Sequence, residues 1–133
     1  GAYKENESLN IQQKRSFSDL VISLSHQHKT HLLSQHAKTM ESFPKMVNRN
    51  GSVAHDYIAL VSSTFNCIQY RRLNPWDHAA GILLHREAGG YDRLMFCEDI
   101  YHPKKYNNEG LVITPNQDVW QQTFQFFNPG KTF

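Results

Sequence analysis

Apolar and polar positions follow one another along the chain in blocks that predict alternating strands and helices. Residues 20–24 (LVISL) form a continuous apolar run, which is typical of a strand buried on both faces of a sheet. Residues 117–127 instead place apolar side chains at helical spacing. Strands are predicted at residues 2–3, 9–11, 20–24, 45–49, 65–71, 91–96 and 110–114, and helices at residues 30–42, 53–61, 74–90 and 117–127. This order predicts an α/β fold in which helices flank a mainly parallel sheet.

The stretch 74–90 (NPWDHAAGILLHREAGG) carries the clearest helix signals in the chain. Asn74 suits the N-cap, and Pro75 suits the first helical position because its fixed φ is already helical. Two glycines then end the helix. Asp77 lies three residues after the cap, where the helix dipole favours a carboxylate. From spacing alone, Asp77 is either a helix-capping carboxylate or a metal-binding or catalytic carboxylate at the edge of the sheet.

Length and composition restrict the class of protein. The chain has 133 residues, of which 39% are hydrophobic and 20% charged, as expected for one soluble globular domain with a real core. A net charge of +2 without basic runs argues against direct nucleic-acid binding, and no apolar run approaches the ~20 residues of a membrane span. Cys67 and Cys97 have no metal-binding spacing, which favours two thiols in a cytoplasmic protein, with one disulfide as the alternative.

Four histidines cluster just after the buried strand, at positions 26, 28, 31 and 36. A zinc site needs a closed set of ligands, usually with cysteine or carboxylate help, and no closing ligand is evident here. Residues 25–28 are expected to form a polar exit from the strand. We therefore expect these histidines to be solvated side chains on a helix surface.

The string WDHAAGILLHREAGG closely resembles the C-terminal signature of the inositol monophosphatase family of magnesium-dependent, lithium-sensitive phosphatases. The matching parts are Trp76-Asp77, the small-residue run 79–81, and Glu87 followed by Ala-Gly-Gly. In that family the Asp at this place is a metal ligand close to the substrate. The resemblance therefore implies that Asp77 binds Mg²⁺ and contacts the substrate.

A second motif lies at the start of the predicted helix 53–61. A strand followed by Gly51-Ser52 and a helix N-terminus suits an anion, although an ordinary strand–helix turn has the same pattern. The family carries a Gly-Ser/Thr-Ala-Ala motif at this place that lines the substrate. Gly51-Ser52-Val53-Ala54 matches it, except that Val53 replaces the usual small Ala. The resemblance therefore implies that Gly51, Ser52 and Val53 bind substrate and that Val53 narrows the pocket.

The chain departs from the family pattern seven residues before Asp77. Inositol-specific members have an acidic residue there that contacts substrate hydroxyls, whereas this chain has Tyr70. Tyr70 is therefore expected to line the substrate pocket, and an inositol substrate is put in doubt. Arg71 and Arg72 suit a phosphate ester with extra negative charge, or are solvated charges at the end of the strand.

The resemblance covers the C-terminal half of the family, as one domain over residues 1–133, with Gly1-Ala2-Tyr3 matching a passage in the middle of the parent. Most of the family's metal-binding carboxylates come from its N-terminal half, and Asp77 is the one expected here. We expect a fragment of a Mg²⁺-dependent phosphomonoesterase that acts on a sugar or inositol phosphate. Its expected partners are a small phosphorylated substrate, the N-terminal half of the same protein and, in a homodimer, a second copy, without membrane or direct nucleic-acid binding. We expect the chain alone to be inactive, with no catalytic residue assigned to it.

Two alternatives stay open at this point. One is a family member that acts on fructose bisphosphate or a nucleotide 3′-phosphate. The other is a non-catalytic module for dimerisation or interaction, since the family is commonly dimeric and some members are partners of the transcription machinery.

Overall fold

The computed structural model describes residues 1–14, 16–38, 43–97, 99–105 and 110–131. In these residues the strands are β1 (Ala2–Lys4), β2 (Glu7–Leu9), β3 (Val21–Leu24), β4 (Lys45–Asn48), β5 (Cys67–Tyr70), β6 (Tyr91–Leu94) and β7 (Leu111–Thr114). The α-helices are α1 (His26–His36), α2 (Val53–Val61), α3 (Pro75–Glu87) and α4 (Gln117–Phe127). None of the helices in these ranges is both long and apolar enough to cross a membrane.

Five strands form one sheet in the order β4-β3-β5-β7-β6. β3 pairs in parallel with β4 and β5, whereas β7 pairs antiparallel with both β5 and β6. Four strands therefore run in one direction, and β7 runs in the other. β6 and β7 pair antiparallel because no helix crosses over between them in the described residues, and a parallel pair needs such a crossover. The predicted α/β fold with helices flanking the sheet is confirmed, and the sheet is mixed, with two parallel and two antiparallel pairings among the described strands.

The sheet lies between two pairs of helices. On one face, Leu32 of α1 and Trp120 of α4 pack into a cluster that includes Cys67. On the other face, Tyr57 of α2 and Ile82 of α3 pack into a cluster with other apolar residues of the sheet. Neighbouring residues of β5 alternate between these clusters, as the period of two in a strand requires. Since α1 and α2 follow successive parallel strands on opposite faces, their N-termini meet at one edge of the sheet.

The N-terminal hairpin forms, although one of its strands is displaced from the prediction. Lys4 lies opposite Glu7, which leaves Glu5 and Asn6 as a two-residue loop. Both loop residues have positive φ, 49° and 71°, as a type I′ turn requires. The short loop fixes the register, so β2 ends at Leu9, and the strand predicted at residues 9–11 is wrong by two residues.

The first helix begins earlier than its pattern suggests. The predicted start at residue 30 is wrong, because the Ser25 hydroxyl accepts the His28 backbone N–H at 3.2 Å and caps a helix that begins at His26. The predicted end at residue 42 is also wrong, because α1 ends at His36 and residues 37–38 form a turn; residues 39–42 lie outside the described residues. The prediction that all four of these histidines are solvated is also wrong. His36 is buried, donates from Nε2 to the Phe126 carbonyl at 2.8 Å, and stacks on the Phe126 ring.

The remaining helices follow the prediction closely. α4 spans Gln117–Phe127 as its apolar spacing indicates, and the Asn116 side chain caps it by accepting the Val119 N–H at 3.0 Å. α3 begins at Pro75 and ends at Glu87, and Gly89 follows with a φ of 92°. Of the two cysteines, Cys67 is buried and Cys97 is exposed, and they form no disulfide with each other.

Gly81 allows α2 and α3 to pack closely, since a Cβ at this position would overlap the buried Tyr57 ring. In an open helix, replacing Gly with Ala would stabilise the fold by about 1 kcal/mol. We expect Gly81→Ala instead to lower the free energy of unfolding by about 1–3 kcal/mol through overpacking. Urea unfolding measures this, with the exposed Ala80→Ser of the same helix as a control. A gain in stability for Gly81→Ala would contradict the packing.

Candidate functional site

A cavity of about 1290 Å³ lies at the edge of the sheet where the parallel strands end. Three connections meet there: β3 leads into α1, β4 into α2, and β5 into α3. Because α1 and α2 lie on opposite faces of the sheet, a crevice opens between their N-termini, which is where open α/β sheets bind ligands.

Every residue that the sequence analysis predicted for the site lines this cavity: Gly51, Ser52, Val53, Tyr70 and Asp77. Asp77 is exposed in the first turn of α3, and its carboxylate accepts the Asn74 amide at 3.3 Å. The structure therefore brings together two motifs that are more than twenty residues apart in sequence. It gives their placement, whereas their roles in metal and substrate binding stay predictions.

The helix N-termini at the cavity differ in how they are capped. The Ser25 hydroxyl caps α1, whereas the Ser52 side chain makes no capping hydrogen bond to α2. Gly51 precedes it with a φ of 77°, a conformation that suits glycine. The first N–H groups of α2 therefore lack a side-chain cap at the wall of the cavity, where the positive end of the helix dipole favours an anion.

One wall of the cavity is a buried polar network that the sequence did not reveal. Asp56, which is 3% exposed, accepts the Tyr70 hydroxyl at 2.9 Å and the Asn50 backbone N–H at 3.4 Å. Tyr57 hydrogen-bonds through its hydroxyl to Nδ1 of His78 at 3.0 Å. Burial raises the pKa of both tyrosines, and the Asp56 carboxylate raises that of Tyr70 further. Both phenols thus stay protonated, and Tyr70 borders the cavity with a hydroxyl already bonded inward.

Three arginines also line the cavity and make part of it cationic. Arg49 donates to the Gln69 carbonyl, and its guanidinium lies 5.4 Å from the centroid of the Tyr70 ring. Arg71 and Arg72 are exposed and also line the cavity. His28 also lines the cavity and is half-buried rather than solvated, and burial together with Arg71 and Arg49 lowers its pKa to about 4. The imidazole of His28 is therefore neutral at pH 7.

The donor set of the described residues does not by itself fit a magnesium ion. Mg²⁺ takes near-octahedral oxygen coordination, and two-metal phosphatases need several carboxylates close together. Within the described ranges, no group of three or more His, Cys, Asp or Glu side chains is placed to hold a metal. Asp77 stands at the rim as a single carboxylate, while Asp56 is occupied by Tyr70 and Asn50.

The chain is similar in sequence to curated inositol-1-monophosphatases of two bacteria. The chain is 48% identical over 79 residues to an inositol-1-monophosphatase of Synechocystis, covering 59% of this chain and 26% of that protein. It is 30% identical over 97 residues to an inositol-1-monophosphatase of Rhizobium meliloti, covering 68% of this chain and 36% of that protein. The matched part of the chain thus spans 26% and 36% of the length of these curated relatives.

Solved structures agree on the fold. Inositol monophosphatase II of Staphylococcus aureus, solved with inositol monophosphate bound, superposes with a TM-score of 0.73 at 15% identity. The match covers 96% of this chain and 49% of the staphylococcal one. A family model described as the inositol monophosphatase family matches residues 1–125. The chain therefore belongs to the inositol monophosphatase family.

Proposed function

We propose that this chain is the C-terminal half, over residues 1–133, of a Mg²⁺-dependent phosphomonoesterase that hydrolyses a phosphate ester of an inositol- or sugar-like alcohol. The proposal rests on one observation: Asp77 and the N-terminus of α2 line the same cavity. A carboxylate and an anion-binding helix end are what a metal-assisted phosphatase must bring to the same place. The curated relatives are phosphatases by name, which supports the reaction class.

In this proposal some residues of the cavity bind the phosphate group of the substrate, and others contact its alcohol part. The N–H groups at Gly51–Val53 bind phosphate oxygens, because they are aligned with the helix dipole and lack a side-chain cap. Tyr70 and Val53 shape the side that receives the alcohol. The Asp56–Tyr70 hydrogen bond fixes the wall, so the pocket is organised before substrate arrives.

The metal belongs to the complete protein rather than to this chain alone. The family is generally metal-dependent, and we propose Mg²⁺, which would activate water and stabilise the leaving oxygen. Asp77 would hold it from this side. We propose that the N-terminal half of the same protein supplies the other carboxylates and covers Trp76, which is 81% exposed beside Asp77.

The test is phosphate release from inositol 1-phosphate, assayed with and without Mg²⁺. We expect turnover by the full-length protein, loss of turnover with EDTA, and no turnover by the 133-residue chain. Adding a separately expressed N-terminal half to the chain is expected to restore activity. A full-length protein that hydrolyses no phosphomonoester in the presence of Mg²⁺ would overturn the proposal.

The isolated chain is expected to bind Mg²⁺ with a dissociation constant of about a millimolar or weaker, because one exposed carboxylate cannot replace the hydration shell of the ion. Isothermal titration calorimetry measures this, with Ca²⁺ as a comparison. Micromolar binding would show that the chain holds a complete site, contrary to the single-carboxylate geometry.

A further inference from the structure

We propose that Asp56 is a positioning residue of the substrate pocket, which ties the phosphate-binding turn at Gly51 to Tyr70 on the alcohol side. The inference rests on the proposed phosphatase function and adds that one buried side chain holds the two sides of the pocket in register. Asp56 lies in the first turn of α2 and is 3% exposed. A carboxylate there also interacts favourably with the helix dipole, but its two hydrogen bonds indicate a more specific role.

The two oxygens of Asp56 hold two different segments of the cavity wall. Oδ1 accepts the backbone N–H of Asn50 at 3.4 Å, directly before Gly51 in the turn that leads into α2. Oδ2 accepts the hydroxyl of Tyr70 at 2.9 Å, at the end of β5. In the proposed reaction the phosphate binds at the N-terminus of α2, and Tyr70 shapes the side that receives the alcohol. The position of Asp56 therefore affects both sides at once.

The observed arrangement requires a side chain that accepts at both ends, since Asn50 and Tyr70 both donate to it. An ionised carboxylate accepts at both oxygens, whereas an amide of the same size accepts at one end and donates at the other. Within the described ranges, no cation forms an ion pair with Asp56. A buried carboxylate without a cation depends on its hydrogen bonds, so these two bonds fix where Asp56 lies.

The ring of Tyr70 is held by contacts other than Asp56. Its centroid lies 4.5 Å from that of the His78 ring and 6.0 Å from that of the Tyr57 ring, and the Arg49 guanidinium lies 5.4 Å from it. These contacts hold the ring, whereas Asp56 sets the direction of its O–H bond. Burial and Asp56 raise the pKa of Tyr70, so the phenol keeps the proton for this bond. Without its acceptor the hydroxyl would turn, and Tyr70 would present a different hydrogen-bonding pattern to the alcohol.

Asp56→Asn in the full-length protein tests this role, because Asn keeps an acceptor for the Asn50 N–H but presents an amino group to Tyr70. We expect kcat/KM for inositol 1-phosphate to fall at least about tenfold, because the alcohol side is altered. The competitive inhibition constant of inorganic phosphate is expected to stay within about threefold, because phosphate needs only the turn. Tyr70→Phe should cause a similar loss, and the double variant no larger one, since both changes remove the same interaction.

Thr114→Val is the control for lost stability alone. It removes a hydrogen bond to the Asn116 carbonyl, and Thr114 is buried outside the cavity. Urea unfolding is expected to show a loss of stability for this variant, while its kcat/KM stays within about twofold of the parent. If Asp56→Asn does not fold, Tyr70→Phe tests the role by the same comparison between the ester and inorganic phosphate.

Binding to the 133-residue chain separates this role from the proposed reaction. By NMR titration, we expect Asp56→Asn to weaken binding of inositol 1-phosphate at least about threefold and binding of inorganic phosphate less than about twofold. A smaller effect on the ester, a parallel loss for both ligands, or additive effects of Asp56→Asn and Tyr70→Phe would overturn the positioning role. Turnover by the full-length parent would then leave the phosphatase proposal standing. Conversely, a selective loss of ester binding in a protein without phosphatase activity would overturn only the proposed reaction.

Discussion

Replacing Asp77 with Asn in the full-length protein is expected to lower Mg²⁺-dependent phosphate release by at least about a hundredfold. Asn keeps the size of the side chain and its place beside Asn74 but removes the negative charge that a divalent cation requires. The measurement is kcat for inositol 1-phosphate at increasing Mg²⁺. We expect the Mg²⁺ concentration for half-maximal rate to rise as well, because the variant loses a ligand.

Asp118→Asn is a matched control for this variant. Asp118 also lies exposed in the first turn of a helix that follows an Asn N-cap, but it does not line the cavity. If both carboxylates only stabilise helix dipoles, each variant should lose less than about 1 kcal/mol of stability and keep its activity. Full activity in Asp77→Asn would therefore assign Asp77 to capping and remove it from the metal site.

The helices that the sequence predicted best are those whose end signals are local. α3 has Asn74 before Pro75 at its start and Gly89 just past its end, so the residues that define its limits are neighbours in the chain. The sequence pattern predicts too late a start for α1 because Ser25 followed by polar residues resembles a strand exit as much as a capped helix. Its apolar contacts are also sparse, since Leu32 and His36 are its buried side chains. The burial of His36 depends on Phe126, ninety residues away.

The candidate site was predictable only in part, because only some of its residues stand in local sequence motifs. Gly51–Val53 and Asp77 stand in motifs with recognisable spacing, so sequence could nominate them. Asp56 and His78 could not be predicted, because their partners Tyr70 and Tyr57 come from other elements that meet only when α2 and α3 pack on the sheet.

The sequence does contain one signal of the role of Asp56. This residue interrupts the apolar stripe of α2, and an acidic residue in such a stripe must be paired when buried. The cationic residues of the cavity likewise come together only because the ends of β4 and β5 meet α1.

Lowering the pH is expected to destabilise the fold through His85, at the end of α3. This imidazole is 1% exposed, and neither ring nitrogen has a hydrogen-bond partner in the described part of the chain. Burial lowers its pKa from 6.5 to about 4, against a smaller opposite effect of Asp92. Between these two pH values the unfolded chain binds a proton that the folded chain does not. The contribution of His85 is therefore complete above pH 6.5 and is lost as the pH falls toward 4, by about 3 kcal/mol in total.

His85→Leu removes the titrating group at similar volume and isolates this contribution. We expect the variant to be about as stable as the parent at pH 7.5, because the imidazole makes no hydrogen bond there, and more stable than the parent at pH 4.5. Urea unfolding at a series of pH values measures the difference, with His55→Leu on the exposed face of α2 as the control. If the two free energies of unfolding fall in parallel with pH, His85 accepts its proton without unfolding. The burial of His85 would then add nothing to the acid sensitivity of the fold. The loss of stability at low pH would come from other titrating groups.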